Sequence, residues 1–140
     1  MAIDFNRFEE IARALVPKHR GSLRCFHVSG LYKKNRLISI GFNQEKTHPK
    51  IKKYNYYNGA GKHAEFSACI RGGEEDYSDH TMLVLRVDKN NRLNYSRPCA
   101  GCIHCLQQFN IEKVFYTDKL GHWQILNPFE TKINNRPDRY

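Results

Sequence analysis

The sequence predicts a single α/β domain of three layers, with one mixed sheet of about five strands between helices. Three observations carry that expectation. Helical and strand-like periodicities alternate along the chain as helix, two strands, helix, strand, helix, two strands. Met82-Leu83-Val84-Leu85 is apolar without alternation, as in a central strand covered on both faces. The last two strand-like runs are joined only by Asp118-Lys119-Leu120-Gly121, too short for a parallel crossover, so they form an antiparallel pair.

Residues 4 to 16 carry Phe5, Phe8, Ile11, Ala12 and Leu15 at helical spacing, with Asp4 as N-cap and Pro17 as the stop. Ser22 to Val28 alternates, and a second strand-like run, Leu37 to Phe42, follows a turn signal at Lys34-Asn35; the two form a hairpin in which Cys25 is a small buried apolar residue. Between Asn43 and Lys62 no periodicity is visible, and lysines alternate with Tyr54, Tyr56 and Tyr57 before Asn58-Gly59-Ala60-Gly61. An irregular stretch of that length is usually functional, and it leads directly into His63. His63 to Arg71 is a short helix ended by Gly72-Gly73. Another helix opens at Pro98 and runs to about Phe109, Ile111 to Thr117 is a strand, and His122 to Leu126 is the last one. The polar tail from Asn127 to Tyr140 offers Phe129 and Ile133 as anchors.

A chain of 140 residues fits one domain, here residues 1–140, that buries roughly two-thirds of its unfolded surface. The formal charge of +9 points to phosphate-bearing partners, either free nucleotides or a single-stranded polynucleotide, although a basic surface also simply keeps a protein soluble. Five cysteines, an odd number with three of them clustered, suit metal ligation in a reducing compartment better than disulfides. With no apolar run long enough for a membrane span and no secretory pattern at the start, the expectation is a cytoplasmic protein with no membrane partner.

Two stretches carry chemistry: His63-Ala64-Glu65 and Pro98-Cys99-Ala100-Gly101-Cys102. One imidazole nitrogen and two thiolates supply three donors to a tetrahedral Zn²⁺ and leave the fourth position for water, the arrangement of a catalytic zinc site. Glu65 stands two residues past the histidine as a proton carrier. Cys99 and Cys102, at i and i+3, share one face of a helix start; if His63 also opens a helix, two positive helix ends converge and favour thiolate. A C-x-x-C pair is also the mark of a structural zinc knuckle or a redox pair. Cys105 extends the run towards an iron–sulfur ligand set, which would need Cys25 or Cys69 as a fourth ligand. His104 points in a different helical direction from the two cysteines.

The two motifs together, in this order and separated by one strand, resemble the H-x-E…P-C-x-x-C signature of the cytidine deaminase-like superfamily, and specifically its zinc-dependent cytidine and deoxycytidylate deaminases. The likeness covers residues 4 to 126 in organisation and is specific at the two motifs. It implies one Zn²⁺ per chain on His63, Cys99 and Cys102, with Glu65 as proton shuttle. It further implies that Asn43, after Gly41-Phe42, contacts the sugar or base, that the backbone of Ala64 contacts the base, and that Ser96 lines the pocket. Arg97 and Lys62 would meet a phosphate, and Tyr57 would stack on a base. The nucleoside-type members usually have cysteine where His63 stands, whereas the short link after Thr117 resembles that type; the tryptophan of the Ser-Trp-Ser-Pro-Cys run of editing members is absent. The implied function is hydrolytic deamination of a cytosine nucleoside or nucleotide, in a homo-oligomer. Deamination of cytosine or adenine in single-stranded DNA or RNA is the alternative, and a non-catalytic nucleic-acid-binding zinc module is a further one.

Overall fold

The computed structural model describes residues 2–21, 23–43 and 63–130. Its elements are α1 (Phe5–His19), β1 (Phe26–Lys33), β2 (Arg36–Phe42), α2 (Ala64–Gly72), β3 (His80–Val87), β4 (Leu93–Asn94), α3 (Ala100–Gln108), β5 (Lys113–Thr117) and β6 (Trp123–Leu126). They form one mixed sheet in the order β2-β1-β3-β5-β6, with the two-residue β4 paired to the end of β3. Only β3 and β5 run parallel; β5 and β6 are antiparallel, as the short link between them requires.

β3 shows why the sheet is covered on both faces. Its Leu83 and Leu85 join Phe8, Ala12, Phe26 and Val28 under α1, whereas Met82 and Val84 join Phe66, Cys69, Leu106 and Phe109 under α2 and α3. Alternate residues point to opposite faces, so a strand apolar at every position needs two apolar covers.

Three boundaries differ from the sequence expectation. α1 does not stop at Pro17: the helix continues to His19, and Arg20 N–H still donates to the Val16 carbonyl at 3.0 Å. A proline removes one donor, and so close to the end of a helix the loss is small. The Arg20 side chain then fixes the exit of the helix by donating to the carbonyls of Leu23, Arg24 and Asp88. Because that clamp holds 23 and 24 as a turn, β1 starts at Phe26 and not at residue 22, and it continues to Lys33. β1 is buried along seven of its eight positions, although polar His27 and Ser29 alternate with apolar Phe26 and Val28. Pro98 lies before Cys99, the N-cap of α3, and so precedes the helix instead of opening it.

Two glycines record close approaches. A Cβ on Gly30 would enter the Phe8 ring, and a Cβ on Gly41 would strike the backbone of Ala64, Ser67 and Ala68. β2 and the start of α2 therefore touch backbone to backbone, which sets the position of the residues around His63. Of the expected tail anchors, Phe129 is half exposed, while Pro128 is buried and its carbonyl accepts from Gln107 at 2.9 Å. The stretch 44–62 and Ile133 lie outside the described residues. Among the described residues no helix is long and apolar enough to cross a membrane.

Candidate metal centre

The starts of α2 and α3 meet at the end of β3. His63 is the N-cap of α2, in extended backbone, and its ring makes no capping hydrogen bond to the helix. Cys99 is the N-cap of α3, and its sulfur accepts the Cys102 N–H at 3.4 Å. His63 Nδ1 lies 3.1 Å from Cys102 Sγ and 3.4 Å from Cys99 Sγ. All three residues are buried, and their donor atoms lie within 4.8 Å of one another.

The donor set fits zinc. Zn–S bonds of about 2.3 Å and Zn–N bonds of about 2.0 Å at tetrahedral angles place nitrogen and sulfur donors roughly 3.5 Å apart, and the two His63–cysteine distances lie within about half an ångström of that. Its electrostatics agree. A hydrogen bond from Cys102 and the neighbouring His63 hold the Cys99 thiol well below its ordinary value, while burial and the Cys99 charge push Cys102 up. One thiolate is thus favoured by the protein alone, and a cation would favour the second.

Glu65, at the second position of α2, is 3 % exposed. Burial and the Cys99 thiolate push its carboxyl up to about 7, and Cys102 hydrogen-bonds to it. The carboxyl thus stands buried beside three converging candidate metal donors, in surroundings that raise its proton affinity.

Other residues singled out from the sequence occupy distinct places. The Ala64 carbonyl accepts from Ser29 Oγ at 2.6 Å. Asn43 bridges the start of β1, accepting from His27 N–H at 2.8 Å and donating to the Cys25 carbonyl at 2.9 Å; one lone pair and one N–H of its amide remain beyond those bonds. Ser96 is fully buried; its hydroxyl donates to the Val84 carbonyl at 2.8 Å and accepts the Thr117 N–H at 2.7 Å, tying the approach to Cys99 onto β3 and β5. Arg97, next to it, is half-buried. Lys62 and Tyr57 lie outside the described residues. Cys69 and Cys105 are buried in the apolar core under the site, and neither joins the three donors. Cys25 is half-buried, and its sulfur takes a hydrogen bond from Arg86 at 2.8 Å, so it is not the apolar core residue expected.

The sequence reading missed Ser29 and His27. Both sit on β1 facing α2, and burial with the charges of Arg86 and His63 pushes the His27 imidazole down to about 3, keeping it neutral. The signal for both was weak: two polar residues in a strand otherwise buried and apolar.

No family model matches the sequence, and no curated protein sequence matches it. Solved structures do resemble the fold. Cytidine deaminase from Burkholderia pseudomallei superposes with a TM-score of 0.61 at 16% identity, over 90% of this chain and 94% of that one. The chain has the cytidine deaminase-like fold. Cytidine deaminase from Mycobacterium leprae gives 0.57 at 20% identity, over 88% of this chain and 93% of that one. The dCMP deaminase from the cyanophage S-TIM5 in apo form gives 0.52 at 14% identity, over 81% of each chain.

Proposed function

We propose that this chain catalyses zinc-dependent hydrolytic deamination of a cytosine nucleoside or nucleotide: water adds at C4, the exocyclic amine leaves as ammonia, and the uracil form remains. The observation that carries the reading is the buried Glu65 carboxyl beside His63, Cys99 and Cys102 within this fold. Zinc on those three donors would supply Lewis acidity, lowering the pKa of water at the open fourth position.

Glu65 accepts the proton that the water gives up, delivers it to the ring nitrogen beside C4, and carries the next proton to the departing amine. Its raised proton affinity serves both directions: a carboxyl of ordinary value would hold protons too weakly to give them to a ring nitrogen. The first N–H groups of α2, at Ala64 and beyond, have no partner within the helix and face the base as donors. Asn43 offers its remaining amide capacity to the sugar. Arg97 and Lys62 are assigned to phosphate and Tyr57 to stacking, and Ser96 holds the pocket wall in place. The exposed Leu120, Ile125 and Phe129 support a homo-oligomer.

The basic balance of +9 supports a second reading, deamination of a base in single-stranded nucleic acid. A purely structural zinc module is less well supported, because such sites use four protein donors and three converge among the described residues. The deciding experiment measures ammonia release by zinc-loaded protein from cytidine, deoxycytidine, CMP, dCMP and a cytosine-containing single-stranded oligonucleotide. Turnover of the free compounds is expected. Turnover of the oligonucleotide alone, falling steeply with salt, would establish the second reading, and no release from any would overturn both.

A further inference from the structure

Around the start of β1 and the end of β3 is a cleft of about 590 Å³ whose lining includes Arg24, Arg86, Lys89, Cys25 and Asp88. Three cations face one carboxylate there, and that carboxylate is already engaged. Asp88 accepts from the N–H groups of Asn90 at 2.8 Å and Arg92 at 3.0 Å and from the Asn94 amide at 3.4 Å. None of the three cations has a carboxylate partner among the described residues. Arg86 is half-buried; it reaches Cys25 Sγ through Nη2 at 2.8 Å, and its buried Nε–H has no hydrogen-bond partner among the described residues. A buried guanidinium N–H without an acceptor is costly, and it leaves Arg86 with donor capacity that the described residues do not use.

The place of the cleft matters as much as its charge. The β1–β3 register sets Arg86 opposite His27, on the face that carries α2 and away from Leu85 and Val87 under α1. The charges of Arg86 and His63 both act on His27, which lies opposite Arg86 in the register. Cys25, which Arg86 touches, is the residue whose carbonyl binds the Asn43 amide. The basic cleft and Asn43 are therefore joined through Cys25, on the sheet face that carries α2.

We propose that Arg24, Arg86 and Lys89, in place of Arg97 and Lys62, form the phosphate subsite and that the substrate is a nucleoside monophosphate. This rests on the deaminase reading for the base and sugar positions. A terminal phosphate carries close to two negative charges at neutral pH and several acceptor oxygens, which suits a cleft with two cations in excess of its single carboxylate and a donor left over on Arg86.

The test uses the product pair UMP and uridine, which do not turn over, titrated calorimetrically into the zinc-loaded full chain. The wild-type protein is expected to bind UMP at least about tenfold tighter than uridine, the worth of one charge-assisted hydrogen bond. In Arg24→Ala/Lys89→Ala, at two exposed positions, and separately in Arg86→Lys, with folding checked by thermal melting, that preference should fall to within about threefold. A wild-type preference of less than threefold, or one unchanged in every variant, would overturn the subsite. Binding of a uracil oligonucleotide that weakens in the variants while the UMP preference stays intact would also overturn it, by assigning the cations to a polynucleotide backbone. The two readings fail separately. A UMP preference that collapses in the variants, with no ammonia released from CMP, upholds the subsite and rejects the reaction. Turnover of cytidine and CMP alike, with no UMP preference, does the reverse.

Discussion

β1 and β3 feed two interiors of different character. Towards α1, Phe26, Val28, Leu83 and Leu85 meet Phe8 and Ala12, and specificity comes from shape: the Phe8 ring occupies the space that a side chain on Gly30 would need. Towards α2 and α3, the same two strands present His27 and Ser29 at the end nearest the metal centre, and the buried set there includes His63, Glu65, Ser67 and Ser96. Buried polar groups must be paired one by one, so this half is specified by individual hydrogen bonds, Ser29 to Ala64 and Ser96 to Val84 and Thr117 among them. One face of the sheet is held by apolar packing alone, and the other combines an apolar cluster with a polar site held in place by directed bonds.

If that division is right, the two halves respond differently to truncation. Phe8→Ala should have the largest effect on stability, about 3–5 kcal/mol by urea unfolding, because a fully buried ring is lost and a cavity left, while zinc bound per folded chain stays unchanged. Ser96→Ala should cost less, about 1–3 kcal/mol, but should weaken zinc retention, since it leaves the Thr117 N–H and the Val84 carbonyl unpaired beside the turn that delivers Cys99. Competition with a chelator measures the second effect. Equal loss of zinc in both variants would show that the two interiors are not separable.

The smallest effect concerns pH. Asp88 is held below the ordinary carboxylate range, chiefly by the Arg92 N–H, with the Asn90 N–H adding to it. A depressed value in the folded state means that the carboxylate stabilises the fold above the unfolded value, about pH 4, and that this contribution is lost as the pH falls through the folded value. Asp88→Asn should therefore lower the melting temperature slightly at pH 7, and the difference from wild type should shrink as the pH drops below about 4. A difference that grows on acidification would contradict the assignment.

How much of this was legible in sequence follows the same division. Periodicity exposed α1 and the doubly covered β3, because both depend on apolar residues at fixed intervals. It misplaced the start of β1, because the Arg20 clamp, closed by carbonyls at 23, 24 and 88, decides where the strand begins. β4, two residues long, has no period to read. The metal donors were visible because each motif is local and sits at a helix start. Ser29, His27 and Arg86 were not, because their importance comes from register: β1 sets Ser29 against Ala64 and His27 against Arg86, pairings made by strand order and not by spacing.

The central claim is that Glu65 moves protons at a zinc held by His63, Cys99 and Cys102. The most direct test is Glu65→Gln, with metal content and ammonia release from CMP and cytidine measured on the same preparation. The account predicts one zinc per chain in both proteins and a fall in turnover of about 10²–10⁴-fold in the variant. Retained turnover with zinc in place would contradict it.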